Sequence, residues 1–299
     1  MTLKPQPLNA GDLIAIASPA SAVKREYVDG ARRRLEEAGF RVRVMPGAYG
    51  SEGSFSGTQE QRLDDMRQAL TDPEVRAVLC SRGGYGCVHL LPALSKLDLR
   101  HDPKWLIGFS DVSALHALMA SQGIVSIHGS MAKALAQHPI DFEPNKRLLH
   151  ILTTGDNLPI ETGSNPFNRP GTAEGTLLGG NLAVIQALIG TPFNVLRPDT
   201  ILYIEDIAEP IYKVERILTQ LRLGGVLDNI RGLIIGQFTE YSPDRNHPSM
   251  EEMIDRLLGD YHIPTAFGFP IGHIEDNLPL LNNSDARLEI GPNSVLLSQ

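Results

Sequence analysis

Short apolar runs and amphipathic stretches alternate through the first half of the chain. Residues 12–17 (Asp-Leu-Ile-Ala-Ile-Ala) form a compact apolar run ending at Ser18-Pro19, which predicts a strand. Apolar positions then recur at helical spacing from Ala22 to Ala38 and stop at Gly39. A second strand is expected over Arg41–Met45 and a second helix over Gln59–Leu70, closed by a Thr-Asp-Pro turn. Ala77–Cys80 and Trp105–Ile107 read as further strands, followed by a helix over Val112–Gln122 and a strand over Ile124–Ile127. Apolar strands separated by helical periods predict a parallel sheet covered by helices, so residues 1–150 are expected to form a doubly wound α/β domain.

The rhythm breaks between Thr153 and Gly175, where Pro, Gly, Ser, Asn and Thr replace any apolar period. That composition predicts a linker or crossing loop over 151–175. Beyond it, strands are expected around Thr176 and over Ile201–Ile204, Leu233–Ile235 and Ala266–Phe269, with helices over Leu182–Ile189, Tyr212–Arg222 and Met250–Leu258. Two late strands, Arg287–Ile290 and Ser294–Leu297, complete a second α/β domain over 176–299 with an antiparallel tail.

The 299 residues are 42% hydrophobic and 21% charged, enough apolar mass for a real core. A formal net charge of −8 argues against a nucleic-acid partner. The basic residues Lys24–Arg25 and Arg32–Arg34 fall on a predicted helix and read as a solvated face. No run of 18 apolar residues is present, so no membrane span is expected. The first residues hold no apolar stretch after Lys4, so no secretory signal is expected either. Cys80 and Cys87 match no zinc or redox spacing, and two free thiols suit a reducing cytoplasm. Neither sits in the context of a cysteine nucleophile.

The richest segment is Trp105-Leu-Ile-Gly-Phe-Ser110-Asp111-Val112, a strand running through glycine and serine straight into a helix. That is the layout of a nucleophile elbow, although Val112 stands where the second glycine of G-x-S-x-G would be. The alternative is that Ser110 merely caps the helix. Ser81-Arg82-Gly83-Gly84-Tyr85-Gly86 follows the third strand, where an open parallel sheet binds ligands. It is not a nucleotide phosphate loop, but its glycines let backbone N–H groups approach a ligand; otherwise it is only a tight turn. The Gly84 and Asp111 N–H groups are the candidate oxyanion donors.

A serine nucleophile needs a base. His116 and His128 read as structural, and His101, His138, His150 and His247 as surface residues. His273, in Phe267-Gly-Phe-Pro-Ile-Gly-His273 just past a strand, is the better base. Glu205, ending the strand Ile201–Glu205 ahead of Asp206, is the carboxylate expected to orient it. Glu209 reads instead as complementing a helix dipole, and Glu215 follows on that helix.

Taken together, Ser81–Gly86, Gly108–Asp111, Gly179-Gly180-Asn181-Leu182, Glu205-Asp206, Val214-Glu215-Arg216 and Phe267–His273 resemble the LD-carboxypeptidase family of serine peptidases. The resemblance implies an N-terminal doubly wound domain, a C-terminal β-rich α/β domain and an active site in the groove between them. It implies a Ser110–Glu205–His273 triad, an elbow without the second glycine, no metal or cofactor, and a homodimer. One departure is Leu281, where the family tends to carry glycine after the Leu-Pro-Leu stretch. The implied reaction releases the terminal D-alanine of a murein tetrapeptide, in cytoplasmic recycling of peptidoglycan fragments. Arg82 is a candidate for the D-alanine carboxylate, with a structural role as the alternative, and Glu275 or Asp276 for the distal ammonium of the dibasic residue. Two other readings exist: a hydrolase of aminoacyl-nucleotide amides similar to the microcin C self-immunity protein, and a non-enzymatic solute-binding module. A short linker, with Trp105 as the only Trp, speaks against the first of these.

Overall fold

A computed structural model describes residues 2–259 and 261–299, which divide into two compact units. The first comprises residues 1–157 and 278–283, and the second residues 158–277 and 284–299.

In the first unit the predicted alternation is present: β1 (Leu13–Ala17), α1 (Arg25–Glu37), β2 (Arg41–Val44), α2 (Gln59–Thr71), β3 (Val75–Cys80), α3 (Leu91–Leu94), β4 (Trp105–Gly108), α4 (Ser113–Ser121) and β5 (Ser126–His128). The short α3 has no counterpart in the sequence reading, nor do the two helices that follow, α5 (Ala132–Gln137) and α6 (Glu143–Thr154). The second unit holds β6 (Ile160–Gly163), β7 (Gly171–Asn181), α7 (Leu182–Ala187), β8 (Thr200–Ile207), α8 (Ile211–Leu223), α9 (Val226–Asn229), β9 (Gly232–Thr239), α10 (Met250–Leu258) and β10 (Thr265–Ala266). The chain then gives β11 (Leu280–Asn282) to the first unit before β12 (Ser284–Ile290) and β13 (Ser294–Ser298) complete the second.

The first sheet has the order β11-β5-β4-β3-β1-β2. All its pairings are parallel except β11 against β5. Every residue of β1 and β4 is buried, as expected for strands covered by helices on both faces. On α1 the buried positions Val28, Ala31 and Leu35 follow helical spacing, and Gly30 lets α5 approach so closely that a Cβ there would lie 2.5 Å from the Ala136 Cβ. The N-terminus of α2 is closed by a capping box between Thr58 and Gln61. Strand order reverses at β1 and β3, so the loops leaving these two strands diverge from a topological switch point, the usual ligand-binding place of such a sheet.

The second sheet has the order β10-β9-β8-β7-β12-β13-β6, parallel from β10 to β7 and antiparallel from there on. The two halves carry different burial patterns for that reason. β8 is buried along nearly its whole length, whereas β12 alternates buried and exposed residues, as a one-sided antiparallel strand does.

Three expectations need correction. Residues 151–175 are not a linker: α6 runs to Thr154, β6 pairs with β13, and β7 begins at Gly171 and continues for 11 residues. The Gly- and Thr-rich composition hides strands whose pairing partners, β12 and β13, lie more than a hundred residues away. The domain limits 1–150 and 176–299 also miss the return of residues 278–283 to the first unit. There Leu281, the departure from the family pattern, is fully buried in the core opposite Ile127. Finally, His247 is not a surface residue; it is 5% exposed, with Nε2 3.6 Å from Glu215.

The tightest constraint in the second sheet is at Gly179, where a Cβ would stand 1.8 Å from the Tyr203 carbonyl oxygen on the neighbouring strand. Gly179→Ala is therefore expected to destabilise the protein by about 3 kcal/mol or more, because backbone rather than a flexible side chain must move. Gly163→Ala, in the edge strand β6 with no heavy atom within 4 Å of its Cβ position, is expected to stay within about 0.5 kcal/mol of the parent. Urea unfolding midpoints of the two variants check this contrast.

Candidate active site

The turn after β4 is built around a strained serine. Phe109 remains extended, and Ser110 then opens a short 3-10 turn (Ser110–Val112) with φ 64°, a left-handed backbone that residues with a side chain seldom adopt. Such outliers persist only where the surroundings over-determine them. The residues at the N-cap positions of that turn and of α4, Phe109 and Val112, supply no side-chain cap.

The surroundings explain how the turn is held. A Cβ on Gly108 would lie 2.9 Å from a methyl of the buried Val112, so glycine before the elbow makes room for valine after it. The carboxylate of Asp111, 4% exposed, accepts the Cys87 N–H at 2.8 Å and ties the elbow to the loop after β3. His116 lies fully buried below. Its Nε2 stands 2.8 Å from the Gly108 carbonyl oxygen, which can only accept, so Nε2 carries the proton and Nδ1 accepts from the Ser126 hydroxyl at 2.8 Å. Burial pushes this imidazole down to about 4, so it stays neutral and structural. His128 is also buried, in the sheet between Gly108 and Leu280.

The glycine loop lies directly against the elbow. A Cβ on Gly83 would meet Ser110 Cβ at 2.8 Å, Ser110 Oγ at 3.0 Å and the Asp111 nitrogen at 3.1 Å. Gly84 adopts φ +102°, where a side chain would be strained. Its N–H and that of Asp111 donate to no group among the described residues. Arg62, 2% exposed, reaches from α2 and donates to both Pro19 O (2.7 Å) and Gly86 O (3.1 Å), joining the loops after β1 and β3. Sequence reasoning passed over Arg62, because an arginine inside a helical period carries no sign that it is buried. Arg82 is exposed; one guanidinium nitrogen donates to Ala22 O at 2.7 Å, and its other donors meet no acceptor among the described residues. Both thiols are buried, and burial raises Cys80 and Cys87 far above an ordinary thiol, which removes them as nucleophiles.

The second unit supplies an acid–imidazole pair. Glu205 is fully buried near the end of β8, at a register shift where β9 carries an extra residue between the partners of Ile204 and Asp206. Its Oε2 lies 2.7 Å from His273 Nδ1. A carboxylate can only accept, so the proton is on Nδ1 and the base lone pair on Nε2. Gly272 permits this approach: a Cβ there would fall 2.9 Å from Glu205 Oε2. Asn277, unforeseen in the sequence, holds the same turn by accepting the Gly272 N–H at 2.9 Å. Burial pulls the His273 imidazole down, but the hydrogen bond and charge of Glu205 outweigh it, and the net shift is upward from 6.5.

Asp206 points to the other side of the strand and has a different task. It accepts from Asn181 Nδ2 (2.8 Å), Ala183 N (2.9 Å) and Ile207 N (2.9 Å), fixing the start of α7. Burial pushes its carboxyl up to about 6 against those hydrogen bonds. Glu209 pairs with Lys213 at 2.9 Å ahead of α8, and Glu275 and Asp276 are exposed just past His273.

Comparison with known proteins follows the same division. Residues 14–129 match the LD-carboxypeptidase N-terminal domain and residues 174–288 the LD-carboxypeptidase C-terminal domain. The murein tetrapeptide carboxypeptidase of Pseudomonas aeruginosa is 32% identical over 279 residues, covering 88% of this chain and 89% of that protein. The crystal structure of muramoyltetrapeptide carboxypeptidase from Oxalobacter formigenes superimposes with a TM-score of 0.86 at 28% identity, over 95% of this chain and 97% of the other. The microcin C7 self immunity protein MccF, in complex with aspartyl sulfamoyl adenosine, gives a TM-score of 0.86 over 99% and 98% of the two chains. At 22% identity that likeness is one of fold alone. With both domain profiles matched and a relative above 30% identity along most of its length, this chain belongs to the LD-carboxypeptidase family of serine peptidases.

Proposed function

We propose that this protein removes the terminal D-alanine from murein tetrapeptides by acyl-enzyme hydrolysis, with Ser110 as nucleophile, His273 as general base and acid, and Glu205 as the group that orients the imidazole. The observation that carries the reading is the left-handed backbone of Ser110 at the strand-to-helix turn, which holds a hydroxyl clear of the sheet at a cost no capping role requires. The His273–Glu205 pair supplies a base with its proton already on the nitrogen away from the substrate.

In this mechanism Ser110 Oγ bonds to the scissile carbonyl carbon while its proton passes to His273 Nε2. The tetrahedral oxyanion is met by the Gly84 and Asp111 N–H groups, a contribution of about 3–4 kcal/mol per donor. Collapse breaks the C–N bond, and D-alanine leaves with the proton from His273. A water molecule repeats the sequence and frees Ser110 with release of the tripeptide acid. Arg82, with guanidinium donors to spare, is the cation proposed for the D-alanine carboxylate. Glu275 and Asp276 offer negative charge for the distal ammonium of the dibasic residue. We place the activity in cytoplasmic peptidoglycan recycling, as a homodimer in keeping with the family. Among the described residues no helix is long and apolar enough to cross a membrane.

Mass spectrometry of products from L-Ala-D-Glu-meso-diaminopimelate-D-Ala tests the reaction directly. The parent protein is expected to release D-alanine and leave an aminoacyl sulfamoyl adenylate intact, and Ser110→Ala to lose turnover by about 10³-fold or more while remaining folded. Cleavage of the adenylate but not the tetrapeptide would shift the reading to an MccF-like hydrolase.

The pH profile follows from the imidazole. His273 acts as base only when neutral, and its affinity for a proton is raised above 6.5, so the acidic limb of kcat/KM is expected above pH 6.5. Glu205→Gln removes the raising influence and leaves burial, so the limb is expected to move to lower pH while kcat falls by about 10⁴-fold. For Arg82→Met the expected change is a rise of roughly 10- to 100-fold in KM with kcat little altered, read from initial-rate kinetics.

A further inference from the structure

We infer that Ser21, in the loop after β1, is a positioning residue that fixes the orientation of the Gly83–Gly84 peptide and so aims the Gly84 N–H at the reacting carbonyl. The inference rests on the oxyanion role proposed above for Gly84. Ser21 is 8% exposed and holds the glycine loop at both ends. Its own N–H donates to Gly83 O at 3.2 Å, and its Oγ accepts the Tyr85 N–H at 3.2 Å. Between these two bonds its side chain packs against Gly84, where a Cβ would lie 2.3 Å from Ser21 Oγ and 2.7 Å from Ser21 Cβ.

Peptide geometry turns this clamp into an aiming device. Gly83 C=O and Gly84 N–H belong to one planar trans unit and point in opposite directions. Anchoring the oxygen on Ser21 therefore directs the hydrogen away from Ser21. A peptide between two glycines rotates easily, since neither residue restricts φ and ψ sterically. Rotation by half a turn would present a carbonyl oxygen, an acceptor, where the oxyanion needs a donor. The Oγ bond to Tyr85 N–H holds the peptide unit after Gly84, so the chain is held on both sides of the Gly84 N–H. The strand order places β1 beside β3, which brings Ser21 against this loop although 62 or more residues separate them in the chain.

The test compares Ser21→Ala with Ser21→Thr in the full-length protein, using the tetrapeptide as substrate and thermal unfolding as the control for folding. Removing Oγ keeps the backbone bond from Ser21 N–H to Gly83 O but takes away the acceptor of the Tyr85 N–H and the group packed against Gly84, so the glycine peptide is held on one side only. The Tyr85 N–H is left to water at an exposed loop, so the fold is expected to survive. Because the donor acts on the transition state, kcat of Ser21→Ala is expected to fall about tenfold with KM within about twofold. Ser21→Thr, which keeps the acceptor oxygen, is expected to retain most of kcat. Should Ser21→Ala not fold, Ser21→Cys, with its weaker sulfur acceptor, takes its place in the comparison with the same expected direction. A folded Ser21→Ala with kcat within twofold of the parent overturns the inference, as does a loss confined to KM or one that Ser21→Thr shares equally. Full turnover by Ser110→Ala would instead remove the serine mechanism itself, a separate failure that no Ser21 variant imitates.

Discussion

The left-handed backbone at Ser110 is the constraint on which the first unit is organised. Placing a residue with a Cβ at φ 64° costs about 1–2 kcal/mol. Recovery comes from neighbours that fit only this geometry. Gly108 yields space to Val112, Gly83 yields space to Ser110, and the Asp111 carboxylate binds the Cys87 N–H. Beneath them His116 links the Gly108 carbonyl to Ser126. Each of these contacts would be lost if the turn relaxed to an ordinary αR conformation. The strain is thus spread over a buried network.

A parallel division of labour appears in β8. Glu205 and Asp206 are adjacent, and strand alternation sends them to opposite faces. Asp206 is saturated with donors from the start of α7 and serves as a structural clasp, with burial lifting its carboxyl to about 6. Glu205 instead meets an imidazole through one oxygen, across a glycine that leaves room for the contact. A single-residue shift of register would exchange the two acids, so the bulge opposite Glu205 and the pairing of Asn181 with Glu205 on β7 decide which acid faces His273.

Much of this was readable in the sequence because the demands are local. A glycine two residues before a serine between a strand and a helix, two glycines after another strand, and a glycine before a histidine each record a place where a Cβ would collide. The parallel strands were readable for the same reason, since burial on both faces leaves a continuous apolar run. What stayed hidden depends on pairing across long separations. β6 and β7 carry a loop-like composition and are strands only because β12 and β13 pair with them, and β11 is three residues long. The burial of His247 and Arg62 belongs to the same class, for nothing beside either residue in the chain marks it as interior. Ser21 and Asn277 were hidden too: each steadies a glycine turn through hydrogen bonds that no pattern in the neighbouring sequence announces.

Topology gives a reason why the oxyanion site proposed above would be built from amides at this place. The loops carrying Gly84 and Asp111 leave β3 and β4, neighbouring parallel strands about 4.8 Å apart. Two N–H groups rising from strand ends at that spacing need little further bending to converge on one oxygen. Side-chain donors would bring rotamer freedom that must be frozen at each turnover, whereas a peptide N–H set by the sheet is already oriented when the substrate arrives. The weakness of the arrangement is rotation of the glycine peptide, the one torsional freedom that the sheet does not control. β1, the next strand beyond β3, is the nearest element able to restrain it, and the polar residue that its loop sets against Gly83 is Ser21.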